Sequence, residues 1–159
     1  MGQSLLVSRR GVLLAIALVG PVSVAGAATT EQVVIHHRTG LAIAGFDPVA
    51  YFVDGAAEIG QHEFEHSFGG AVWRFRNEGN REAFVADPEV YTPRFGGYDP
   101  VGVARGVAVA GDPQVWLVIG ERLYLFYSAE ARTAFAGDVE QLLATAERRW
   151  PAVQLTLSP

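Results

Sequence analysis

A chain of 159 residues, half of them apolar, is long enough for one domain with a packed core. Its formal charge of −5 argues against a nucleic-acid partner, since no basic stripe exists to displace counterions, and the chain has arginine but no lysine. The absence of cysteine excludes disulfides, thiolate metal sites, a cysteine nucleophile and a lipoprotein anchor.

Residues 1–27 read as a signal peptide. Ser8-Arg9-Arg10 precedes an apolar run from Gly11 to Gly20, and Ala25-Gly26-Ala27 supplies a small-residue cleavage pattern. The run is too short for a membrane span of roughly 20 residues, so none is expected after cleavage. Ser8-Arg-Arg-Gly-Val-Leu resembles a twin-arginine export signal, with Val12 where phenylalanine is common and Leu14 where lysine often sits. A general secretory signal is the alternative. Either route predicts a periplasmic or secreted protein. Residues 28–44 form an N-terminal segment that includes the pair His36-His37, read as a solvated pair or a site.

Beyond it the chain repeats itself. Gly45-Phe-Asp-Pro-Val-Ala50 returns as Gly97-Tyr-Asp-Pro-Val-Gly102, and Trp73-Arg-Phe-Arg-Asn77 with Phe84 and Asp87 returns as Tyr124-Leu-Phe-Tyr-Ser128 with Phe135 and Asp138. The offset is 52 residues in the first match and 51 in the second, the drift that a loop indel leaves. The pattern predicts an α+β fold: a single compact domain of two pseudo-repeated β-hairpin–helix units plus a C-terminal helix. Two copies are too few for a solenoid.

In the first unit, a two-residue Gly69-Gly70 turn sets Phe68 opposite Ala71, His66 opposite Trp73 and Phe64 opposite Phe75. The other face then pairs Glu65 with Arg74 and Glu63 with Arg76 across the strands. Asn77 is placed to cap a helix over residues 78–86, which Asp87-Pro88 ends. In the second unit Gly120-Glu121 is the turn. Val115, Leu117, Tyr124 and Phe126 share one face; Trp116, Val118, Leu123 and Leu125 share the other. Two apolar faces predict a central hairpin covered on both sides. Ser128 caps the next helix, and Asp138 with Gln141 opens a last one, expected to stop at Pro151 and to cover the second face.

With those elements in place, Gly45-Phe-Asp-Pro-Val-Ala-Tyr-Phe52, Gly70-Ala-Val-Trp-Arg-Phe75, Asn80-Arg81, Phe95-Gly-Gly-Tyr98, Leu123-Tyr-Leu125 and Trp150-Pro151 resemble exported bacterial YHS-domain proteins over most of the chain. The resemblance assigns residues 45–151 to a YHS-like domain and leaves 152–159 as a tail. It implies metal handling, since related small domains occur beside copper transporters, and the implied cofactor is a divalent metal ion. The family usually has Gly-Gly-Tyr-Cys-Ala where this chain has Gly96-Gly-Tyr-Asp-Pro100, and Leu-Tyr-Leu-Asn where it has Leu123-Tyr-Leu-Phe126. Asp99 thus stands at the place of a thiol, as a hard oxygen ligand instead of a soft sulfur one.

The loop between the repeats, residues 91–100, is the expected site. Arg94 could grip a carboxylate or phosphate, and the glycines let Tyr98 project into a pocket or make a tight crossover. Asp47 and Asp99, each before a proline, are either structural caps or a pair of carboxylates facing a ligand. His66, opposite Trp73, is either a core histidine or a metal ligand beside Asp99. His62 would lie about 13 Å from it along the strand, too far to share an ion. No nucleophile elbow, phosphate loop or zinc-protease motif is present, and no catalytic residue is assigned. The function expected is non-catalytic binding of a metal ion or small ligand through Arg94, Tyr98, Asp99 and Asp47, with His66 and Asp99 as metal ligands. The alternative is a periplasmic protein-interaction or accessory module with no ligand site.

Overall fold

The computed structural model describes residues 33–35 and 39–157; the signal-peptide reading and His36-His37 lie outside them. Each repeat opens on a tight 3-10 turn, Ile43–Gly45 in the first and Arg94–Gly97 in the second. Both are left-handed: φ is 41° at Ile43 and 84° at Gly45, 56° at Phe95 and 88° at Gly97. A side chain in this region costs about 1–2 kcal/mol. Ile43 and Phe95 are each only 1% exposed, and burying such a side chain contributes roughly 1.5–3 kcal/mol. Burial therefore offsets the strain at Ile43 and Phe95, whereas Ala44, also left-handed at φ 55°, is exposed.

The first repeat continues through α1 (Ala50–Val53), β1 (Gln61–Phe68), β2 (Ala71–Phe75), α2 (Glu78–Ala86) and α3 (Pro88–Tyr91). The second follows the same order through α4 (Pro100–Arg105), β3 (Asp112–Ile119), β4 (Arg122–Phe126), α5 (Ala129–Gly137) and α6 (Val139–Gln154). Each repeat forms its own two-stranded antiparallel sheet. The result is the predicted α+β fold of two hairpin–helix units and a C-terminal helix. The caps fall where the sequence sets them: Asn77 Oδ1 accepts from the Asn80 N–H at 2.9 Å, Ser128 Oγ from the Ala131 N–H at 3.3 Å and Asp138 Oδ1 from the Gln141 N–H at 3.3 Å.

Both hairpin turns have positive φ at their two central residues, Gly69-Gly70 and Gly120-Glu121, the geometry that matches strand twist. Next to the first turn Phe68 faces Ala71, His66 faces Trp73 and Glu65 faces Arg74, as expected. Further out the register shifts, and Gln61 comes opposite Phe75. The expected Phe64–Phe75 and Glu63–Arg76 pairs are therefore not made. Arg76 instead bonds Asp54 at 2.8 Å, and Glu63 lies 3.0 Å from His62. The second hairpin shifts at the equivalent place, with Asp112 opposite Phe126.

The cause lies at the start of each first strand. The Gly60 N–H donates to the Gly45 carbonyl at 2.9 Å and the Gly111 N–H to the Gly97 carbonyl at 3.0 Å, which draws the strand towards its own repeat's opening turn and adds the irregularity. A Cβ on Gly60 would lie 2.4 Å from the Arg74 carbonyl carbon, and one on Gly111 would lie 2.6 Å from the Leu125 Cβ. Only glycine admits this approach.

β4 divides two cores, as its two apolar faces predict. Leu123 and Leu125 pack with Tyr51, Trp73, Phe75 and Phe84. Tyr124 and Phe126 pack with Phe95, Phe135, Trp150 and Val153. The aromatic geometry is repeated as well: Trp73 and Phe84 are 5.1 Å apart at 36°, Tyr124 and Phe135 5.3 Å apart at 40°.

The last helix differs from expectation. It does not stop at Pro151 but runs on to Gln154. Proline forfeits one helical hydrogen bond, yet Trp150 and Val153 on either side of it are buried in the second core, and that packing carries the helix on. No helix among the described residues is long and apolar enough to cross a membrane.

Candidate functional site

Of the four aspartates that precede proline, Asp47 and Asp99 are buried, at 0% and 4% exposure, and they are the buried polar residues among those described. Each sits where the opening turn hands over to a short helix. Each donates its own N–H to the strand-side connection, Asp47 to the Glu58 carbonyl and Asp99 to the Val109 carbonyl, both at 2.8 Å. A buried carboxylate is costly unless donors surround it, so its partners decide its role.

Asp47 is saturated. Its Oδ1 accepts from the Val49 N–H at 2.8 Å and the Ala50 N–H at 3.3 Å. Its Oδ2 accepts from the Arg76 N–H at 2.8 Å and from the side-chain amide of Asn80 at 2.6 Å. Asp99 has half as many donors. Its Oδ1 accepts from the Val101 N–H at 2.8 Å and its Oδ2 from the Tyr127 N–H at 3.2 Å. The missing amide has a direct cause: the residue equivalent to Asn80 at the third position of the helix is Ala131.

The space that an amide would take is open. A cavity of about 370 Å³ lies against Asp99, walled by Val101, Val107, Val109, Ala131 and Ala134. Gly102, Arg105, Glu130, Tyr127 and Ser128 complete its lining. Arg105 and Glu130 are exposed and stand at the mouth, whereas Asp99 is buried at the inner end. The Glu130 carboxyl is held below the usual carboxylate range by its own backbone N–H and by the Ser128 hydroxyl.

The other expected site residues lie elsewhere. Arg94 bonds Glu147 at 3.0 Å and lies over the Phe95 ring. It borders a separate groove of about 350 Å³ with Arg122 and Tyr124. Tyr98 is half-buried against Trp150, with ring centroids 5.9 Å apart, and burial raises its phenol pKa. His66 is half-buried, and its ring lies edge-on to Phe84 at 6.3 Å. Asp47 spends its oxygens inside the first repeat. Of the five, Asp99 alone lines the cavity. Among the described residues no group of three or more histidines, aspartates or glutamates is placed to hold a metal ion.

Val109, Tyr127, Glu130 and Ala131 went unnoticed as site residues. The signal that could have found them is the mismatch of Asn80 with Ala131 once the two repeats are aligned. The molecule is thus an α+β protein of two hairpin–helix repeats, with a closed carboxylate site in the first and an open one in the second. No protein-family model, no curated protein and no solved structure matches the chain.

Proposed function

We propose that the chain is an exported, YHS-like binding protein that holds a small organic molecule beside Asp99 in its second repeat without turning it over. One observation carries this: the same buried aspartate is saturated in the first repeat, and in the second it is short of donors and faces a cavity. A structural cap alone would need the filled arrangement in both copies. The metal form of the reading has less support, because Asp99 and Glu130 are the acids in the lining and no histidine joins them. With no cysteine or lysine in the chain and no histidine at the cavity, covalent and acid–base chemistry have few groups to use. Binding is what this lining serves best.

The test is a methyl NMR screen with a mixture of small organic fragments. The reading expects shifts at Val101, Val107, Val109, Ala131 and Ala134, and their loss in Ala131→Asn, which rebuilds the first repeat's amide. Fragments that leave these methyls unmoved, or that move them equally in the variant, contradict it.

A further inference from the structure

Asn80 shows what the open site lacks. In the first repeat a nitrogen donor reaches the buried carboxylate oxygen at 2.6 Å from the third position of α2. In the second repeat the third position of α5 is Ala131, so the same oxygen keeps a single backbone donor at 3.2 Å. Asp99 Oδ2 can therefore take a further donor, at the place that the Asn80 nitrogen fills in the first repeat.

The charges select among donors. Arg105 and Glu130, both exposed, bring opposite charges to the lining, so its net charge is that of Asp99, the buried one. A buried carboxylate gains more from a charged donor than from a neutral one, since charge-assisted hydrogen bonds are roughly twice as strong. An anion brought to the same place would meet an unscreened like charge. The rest of the lining is mainly valine and alanine, with Val109 and Ala131 partly buried and Val107 half exposed, and these methyls can take an aliphatic body.

We infer that the cavity of the second repeat takes a primary aliphatic amine, its ammonium on the Asp99 carboxylate where Asn80 sits in the first repeat and its hydrocarbon body among the valines. This rests on the binding reading above and narrows it to a ligand class.

Three probes of equal length separate the two claims: n-butylamine, n-butanol and butyrate, each titrated at neutral pH into the full chain with the cavity methyls as readout. The amine is expected to bind at least tenfold more tightly than either of the others. Ala131→Asn should abolish that binding and melt at or above the wild-type temperature, because its amide occupies the same carboxylate. Ala131→Leu, which fills the space without a donor, must also abolish it and serves as the control if Ala131→Asn folds poorly. Equal or tighter binding of n-butanol or butyrate at these methyls would overturn the amine assignment and leave the binding reading standing. Silence from all three probes would count against the binding reading itself, and the amine assignment would fall with it.

Discussion

Asp47 and Asn80 form the most consequential side-chain pair of the first repeat, because they close there what the second repeat leaves open. Removing the amide by Asn80→Ala leaves a buried carboxylate oxygen with one donor fewer. Hydrogen bonds to charged groups contribute about 1.5–3 kcal/mol, and the variant should lose that much stability by denaturant unfolding. A loss below about 0.5 kcal/mol, the range of an ordinary surface substitution, would show that Asp47 does not need the amide. Tyr51 supplies a second test. Its hydroxyl donates to the Pro113 carbonyl at 2.9 Å, and burial pushes its phenol well above its ordinary 10.0. A folded-state pKa above the unfolded value means that the unfolded chain releases its proton first. The contribution of Tyr51 to stability should therefore be constant below about pH 10 and be lost above it, and Tyr51→Phe should flatten the alkaline decline. An unchanged slope in Tyr51→Phe would contradict the assignment. At this scale Asp99 was legible in the sequence as an echo of Asp47. Its shortage of donors was not, since it depends on Ala131, a residue too plain to draw notice by itself.

The elements read best from the sequence are those fixed by neighbours in the chain. Asn77, Ser128 and Asp138 cap the helices they precede, and the two hairpin turns fall at Gly69-Gly70 and Gly120-Glu121, where three of the four positive-φ positions are glycine. What could not be read depends on distant contacts. The register shift in β1 follows from the bond between Gly60 and Gly45, and the length of α6 follows from the burial of Trp150 and Val153. Each has a test. Gly60→Ala and Gly111→Ala put a Cβ against backbone or Cβ atoms that cannot move aside, and each should cost at least the 1–3 kcal/mol typical of overpacking. Unchanged thermal midpoints would contradict the close approach. Pro151→Ala restores an N–H within α6 and should stabilise by about 1 kcal/mol, less than the full penalty of roughly 3 kcal/mol for an interior proline. Destabilisation would mean that the ring's own packing outweighs the regained bond.

The whole molecule is one unit written twice and then made unequal. Both copies keep the left-handed opening turn, the glycine approach, the capped helix and the aromatic pair. They part at position 80 against 131, and the open cavity follows from that. The export reading is tested at this scale too: replacing Arg9 and Arg10 by lysine should stop export by a twin-arginine route and leave a general secretory route working.

The central claim, that the second repeat holds from outside what the first supplies for itself, is tested most directly by a crystal structure of the protein purified from its native cells. Non-protein density is expected against the Asp99 carboxylate, with a donor at hydrogen-bond distance, and Asn80 on Asp47 in the first repeat. A cavity collapsed onto its own side chains, or filled by water alone, would contradict it.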